Sequence, residues 1–226
     1  MESQAPFLTR RFDAAFQFAA ALHHPQRRKG GGSIPYIAHL MSVCALVLEA
    51  GGDEDQAIAA LLHDSVEDQG GKSTLDTIRH LFGKRVADAV ESCSDSTVSD
   101  PNNKLPWRER KQAYLAHLQD ANKDAVFVAA ADKLHNARAI LSDYRELGEQ
   151  LWLRFNAPKS DQLWYYGEFV KSIRQTAAPK ILVDELERVV KELKELARSN
   201  PMAGHIVDVT AENLGKGFIL TAQTKP

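Results

Sequence analysis

The chain has 226 residues, 44% of them hydrophobic, and is therefore long enough to bury one core of ordinary size. Its 28 basic and 30 acidic side chains leave a net charge of −2, so no overall basic field favours binding of nucleic acid. We expect a cytoplasmic protein without a membrane partner, because no apolar run approaches the roughly 18 residues of a membrane span and no basic stretch at the N-terminus precedes an apolar one.

Apolar residues recur at helical spacing along nearly the whole chain, and strand-like alternation is missing until its end. Breaks such as Gly51-Gly52 and Gly70-Gly71 separate the periodic segments. The sequence therefore predicts an all-α fold, a helical bundle of about ten helices. The predicted helices lie near residues 10–24, 35–50, 53–68, 74–82, 84–95, 106–120, 122–146, 148–155, 160–176 and 178–198.

The last predicted helix carries an apolar stripe between glutamates and lysines. Its members are Leu182, Leu186, Val189, Leu193 and Leu196. The stripe favours docking of this helix on the rest of the domain, and the seam of a homodimer is the alternative. Beyond it, residues 205–209 and 217–221 are typical of a short C-terminal β-hairpin. We divide the chain into a domain at 1–177 and a C-terminal extension at 178–226.

An apolar helical segment, residues 57–62, runs directly into a group of ionisable side chains. The group consists of His63, Asp64, Glu67 and Asp68. On one continuous α-helix all four would fall within an arc of roughly 140°. Carboxylates in such a setting carry a large desolvation cost unless a positive charge compensates for it, and a divalent cation would supply that charge.

Two more positions place an ionisable side chain in an apolar helical context. His39 lies among Ile37, Ala38 and Leu40, and Asp132 follows the six apolar residues 126–131. A lone histidine on an apolar face is usually a core residue, but its occurrence together with the His63-Asp64 pair favours a metal site. The resulting set of two imidazoles and two carboxylates suits Mn²⁺ or Fe²⁺ better than Mg²⁺ or Zn²⁺.

Glu67 and Asp68 would then serve the reaction rather than hold the metal. A carboxylate beside an activated water can orient or deprotonate it, and another group can protonate the leaving oxygen. The alternative is that both side chains are solvated charges at the end of a helix.

A basic, glycine-rich loop at residues 26–33 leads into the helix that carries His39. Arginine can stack on a base or pair with phosphate through two hydrogen bonds, and lysine acts on phosphate as a point charge. We therefore expect Arg28 and Lys29 to overhang the metal. A solvated basic turn is the alternative.

Four segments of the chain resemble the HD-domain hydrolases of the RelA/SpoT homologue family, in particular the small alarmone hydrolases. These segments are residues 26–29, 35–39, 59–68 and 131–136. The resemblance covers roughly residues 10–175 and keeps the order of the family's motifs. It implies an all-helical HD-domain fold. It also implies a Mn²⁺-dependent removal of the 3′-pyrophosphate from ppGpp or pppGpp, which yields GDP or GTP.

The same resemblance implies roles for individual residues. The implied metal ligands are His39, His63, Asp64 and Asp132. The implied catalytic acidic pair is Glu67 and Asp68. The implied substrate contacts are Arg28, Lys29, Asn136 and, from a later helix, Tyr165.

Two other functions stay open at the level of sequence. Lys133 stands where many long members of the family have arginine, which leaves the choice between guanine and adenine undecided. The first alternative is therefore an HD-family phosphatase for another nucleotide: a 2′-phosphatase of NADPH, an adenosine alarmone hydrolase or a nucleotidase. The second is an inactive nucleotide sensor or scaffold, although binding alone does not require the Glu67-Asp68 pair.

Overall fold

The computed structural model describes residues 7–28, 33–94 and 105–199, and most of them are helical. In chain order the helices are α1 (Arg10–Leu22), α2 (Ile37–Glu49), α3 (Glu54–Leu62), α4 (Ser65–Asp68), α5 (Gly71–Phe82), α6 (Lys84–Cys93), α7 (Trp107–His117), α8 (Lys123–Leu147), a 3-10 helix (Gly148–Arg154), α9 (Lys159–Ile173) and α10 (Lys180–Ser199). The predicted all-α fold is confirmed. The predicted hairpin lies outside the described residues. In the described part of the chain, no helix combines the length and the apolar character that crossing a membrane requires.

Helix α8 runs through the middle of the bundle. Every residue from 124 to 132 is buried, so this stretch must be surrounded by other helices. Helices α2, α3, α6, α9 and α10 all pack against α8. Asp132 is therefore a charged side chain inside the bundle, with only 5% of its surface exposed.

Helix α3 is also apolar on all sides, because residues 57–62 are fully or almost fully buried. Its start is fixed by a capping box in which the Asp53 side chain accepts from the backbone N–H of Gln56, and the Gln56 side chain accepts from that of Asp53. The prediction of one continuous helix over 53–68 is wrong. Helix α3 ends at Leu62, a turn follows, and α4 begins at Ser65. The chain turns at Asp64, whose ψ of −2° departs from the helical value.

Helix α10 packs along α8 and α9. Leu182, Leu186 and Leu193 of its apolar stripe are buried in this contact. Arg138 and Arg145 of α8 form ion pairs with Glu185 and Glu192 of α10 along its border. The prediction that α10 docks on the rest of the domain is therefore confirmed. The apolar stripe that suggested a dimer seam is the surface buried in this docking. The homodimer and the division between residues 177 and 178 stay predictions.

Candidate metal centre

Four side chains with ligand atoms meet between α2, the α3–α4 turn and α8. Nε2 of His63 lies 3.0 Å from Oδ2 of Asp64 and 3.6 Å from Oδ1 of Asp132. Nε2 of His39 lies 3.5 Å and 3.3 Å from the same two oxygens. Ligand atoms of His39, His63 and Asp64 all lie within 4.8 Å of one another. The structure thus brings together the four residues predicted as ligands.

The orientation of His63 fits a bound cation. Its Nδ1 lies 2.8 Å from the carbonyl oxygen of Ala60, to which it donates, so Nε2 is the nitrogen left either to carry a second proton or to coordinate a cation. That nitrogen is buried and has no hydrogen-bond partner among the described residues. A buried imidazole nitrogen that faces carboxylate oxygens needs positive charge beside it, which either a proton on the ring or a bound metal cation supplies. The residues present therefore fit a divalent metal ion.

The charges at the centre shift the pKa values of its members. Burial alone would lower the pKa of His63, but Asp64 and Asp132 raise it well above its ordinary value. Burial would raise the pKa of Asp132, but Lys133 and the two histidines hold it well below its ordinary value. Burial would also raise the pKa of Asp64, but His63 and His39 hold it well below its ordinary value. Both carboxylates are therefore anionic at neutral pH and select for positive charge between them.

A second layer of side chains holds the carboxylates in place. The hydroxyl of Tyr36 donates to Oδ2 of Asp64 at 2.5 Å. Nδ2 of Asn136 donates to Oδ1 of Asp132 at 2.5 Å, and the ammonium of Lys133 pairs with the other oxygen. Such partners fix the direction in which a ligand points. None of these supporting roles was predicted from the sequence, although Asn136 lies one helical turn after Asp132 and Lys133 follows it directly.

Asp68, one of the two acidic residues on α4, is hydrogen-bonded to a residue that follows α1. Nε2 of Gln26 donates to Asp68 at 2.7 Å, and Oε1 of Gln26 lies 2.6 Å from Nδ1 of His23. His23 is buried and stacks on Tyr36, with 5.3 Å between ring centroids. Asp68 is exposed, and Glu67 is partly buried. The sequence does not predict these roles, because Gln26 contacts Asp68 and His23 contacts Ser65, and each of these partners lies 42 positions further along the chain.

Two predicted substrate contacts lie at the edge of the centre. A guanidinium nitrogen of Arg28 donates to Oδ1 of Asn136 at 2.9 Å, and Asn136 donates to Asp132, so Arg28 is linked to Asp132 through Asn136. The backbone N–H of Arg28 donates to the carbonyl of Ile34 at 3.0 Å, which closes the base of the glycine-rich loop. Lys29 lies outside the described residues.

Tyr165, the fourth predicted contact, lies deeper in the fold. Its ring is buried and packs edge-on against Trp107, and its hydroxyl has no hydrogen-bond partner among the described residues. The other aromatic rings packed against it are those of Tyr166 and Phe169, its neighbours on α9. These contacts place Tyr165 among aromatic side chains rather than among the proposed metal ligands.

The complete arrangement has the parts of a centre for phosphate hydrolysis. Two imidazoles each lie within 3.6 Å of two carboxylate oxygens, a guanidinium is linked to them through Asn136, and two further carboxylates occupy the helix that begins directly after Asp64. Metal-assisted hydrolysis needs a cation, a group that acts on water and positive charge for phosphate.

Comparisons with known proteins point in the same direction. A family model described as HD domain matches residues 15–156. The guanosine-3′,5′-bis(diphosphate) 3′-pyrophosphohydrolase MESH1 of Xenopus tropicalis is 35% identical over 164 residues, which cover 72% of this chain and 84% of that protein. The bifunctional (p)ppGpp synthase/hydrolase SpoT of Escherichia coli K12 is 30% identical over 84% of this chain, but the match spans only 27% of SpoT. A solved structure, described as a metazoan orthologue of SpoT that hydrolyses ppGpp, superposes with a TM-score of 0.65. It is 26% identical, and the match covers 84% of this chain and 98% of that one.

Proposed function

Since the chain belongs to the HD-domain family, we propose that it is a hydrolase of guanosine alarmones, which removes the 3′-pyrophosphate from ppGpp and pppGpp. The products are GDP or GTP and pyrophosphate. One observation carries this proposal: His39, His63, Asp64 and Asp132 converge, and Arg28 is tethered beside them through Asn136. The choice of a guanosine alarmone as the substrate follows from the names of the relatives.

We propose His39, His63, Asp64 and Asp132 as the ligands of one divalent cation. Two imidazoles and two carboxylates favour Mn²⁺, with Fe²⁺ as the next choice and Mg²⁺ or Zn²⁺ less suited. When bound, the cation supplies positive charge that polarises the phosphoryl group and makes water more acidic.

The protein's own groups then carry the proton transfers. Glu67 takes a proton from the water that attacks the phosphorus next to the ribose. The bond between this phosphorus and the ribose 3′ oxygen breaks, and the acidic pair returns a proton to that oxygen. Gln26 holds Asp68 in place through its amide hydrogen bond.

The substrate contacts follow from charge and position. Arg28 donates to phosphate or packs on the base, and Lys29 adds a second positive charge. Asn136 contacts the nucleotide near the ribose while it holds Asp132. The buried hydroxyl of Tyr165 supports its assignment as a further nucleotide contact.

A substrate panel tests the function. Purified protein with Mn²⁺ is incubated with ppGpp, pppGpp, pppApp and NADPH, and released pyrophosphate is separated from orthophosphate. Pyrophosphate from the two guanosine substrates is the expected result. Orthophosphate from NADPH alone, or preference for pppApp, would replace the proposal with another nucleotide hydrolase. A metal-loaded protein that turns over none of the four would be a sensor or scaffold.

A further inference from the structure

One turn of α8 places three polar side chains at the metal centre. Asp132 is the proposed ligand, Asn136 bonds to it, and His135 lies three positions after Asp132. Nδ1 of His135 lies 2.9 Å from Nδ1 of His39, and the two ring centroids are 4.8 Å apart. His39 is only 1% exposed, so water does not compete for this contact on the His39 side.

Only one nitrogen in such a contact can carry the proton. The other nitrogen of His39, Nε2, faces the oxygens of Asp64 and Asp132. A ring that coordinates through Nε2 keeps its proton on Nδ1. With His39 as a metal ligand, Nδ1 of His39 would be the donor and the lone pair on Nδ1 of His135 the acceptor.

We propose that His135 is a positioning residue that accepts the Nδ1 proton of His39 and so keeps Nε2 of His39 pointed at the cation. This inference rests on the proposed function, because it takes His39 as a ligand. Metal-binding histidines usually donate to a carboxylate, a backbone carbonyl or water. A neutral imidazole pulls less strongly on the shared proton than a carboxylate does. His135 therefore fixes the direction of His39 with a smaller gain in its basicity.

Two substitutions separate this role from simple packing. His135→Leu replaces the ring by an apolar side chain of similar size that has no hydrogen-bond acceptor. The amide oxygen of His135→Asn can still accept from His39. Mn²⁺ affinity is measured by competition with a fluorescent chelator, and the absorption spectrum of the Co²⁺-loaded protein reports the ligand geometry. We expect His135→Leu to bind Mn²⁺ about 10- to 100-fold more weakly and to change the Co²⁺ spectrum. His135→Asn should recover most of the affinity. His117→Leu, at an exposed position of α7, is the control and should bind as the wild type does.

A measurement on the unaltered protein removes any dependence on whether the variants fold. Long-range ¹⁵N–¹H correlation spectra of the metal-free protein should place a proton on Nδ1 of His39 and none on Nδ1 of His135. The reverse arrangement would overturn the inference, as would wild-type Mn²⁺ affinity in a folded His135→Leu protein. A wild-type protein that binds neither Mn²⁺ nor Co²⁺ would instead refute the proposed metal centre, and the spectra would then decide the contact alone.

Discussion

At the scale of single residues, one carboxylate oxygen links most of the centre. Oδ2 of Asp64 accepts from Tyr36 and lies 3.0 Å from His63 and 3.5 Å from His39. Glu67 follows three positions later on α4 and belongs to the acidic pair. Substitutions of Asp64 and of Glu67 can therefore distinguish a loss of metal binding from a loss of proton transfer.

Substitution of these two carboxylates should give different losses. Asp64→Ala removes a ligand and should abolish both metal retention and turnover. Glu67→Gln keeps the shape of the side chain and should retain the metal, but it should lose at least about 100-fold in rate, as expected when a proton-transfer group is removed. Metal content by mass spectrometry and initial rates on ppGpp check both outcomes. Full activity in Glu67→Gln would show that this side chain has another role.

Tyr36 should support metal binding through its hydroxyl group rather than through its aromatic ring. Burial and the neighbouring Asp64 raise the pKa of Tyr36, so the hydroxyl stays protonated and donates across the working pH range. Tyr36→Phe keeps the ring but deprives Asp64 of this donor, and we expect Mn²⁺ affinity to fall by about 10-fold or more. Tyr144→Phe is a matched control, because Tyr144 also donates to a carboxylate, that of Glu149 at 2.6 Å on the 3-10 helix. Equal affinities of the two variants would contradict the role of Tyr36.

At the scale of helices, periodicity predicted most of the fold because a buried helical face needs apolar residues at regular spacing. It could not predict the break after Leu62, because the apolar spacing continues to Val66 and the backbone leaves the helical region only at Asp64, with φ −93° and ψ −2°. The four proposed ligands were recognisable because charge within an apolar segment is unusual. Gln26, Tyr36 and His135 were not, because half-buried polar residues are common and only a partner on another helix gives them a role.

The start of α8 offers a test at this scale, because the helix carries Asp132. Oδ1 of Asn122 accepts from the backbone N–H groups of Asp124 and Ala125, at 3.0 and 2.9 Å. Asn122→Ala should lower the free energy of unfolding by about 1 kcal/mol. Asn122→Asp keeps the acceptor and should stay close to the wild type. Urea unfolding of the three proteins checks this, and an equal loss in both variants would argue against the cap.

At the scale of the whole molecule, α10 closes the bundle over the helix that carries Asp132. Its buried stripe packs on α8, and the ion pairs of Arg138 and Arg145 border the contact. Such exposed pairs contribute little, so the apolar contact should supply most of the stabilisation. The centre and α10 therefore share α8 as a common support.

Two apolar residues of α10 test this contact. Leu186 is fully buried, whereas Ile181 is 64% exposed. Leu186→Ala should lower the free energy of unfolding by about 2–5 kcal/mol, because it leaves a cavity against the bundle. Ile181→Ala should change it by no more than about 0.5 kcal/mol. Urea unfolding at two protein concentrations measures both effects. A midpoint that rises with concentration would indicate that the stripe also stabilises an assembly of subunits, whereas docking within one chain leaves the midpoint unchanged.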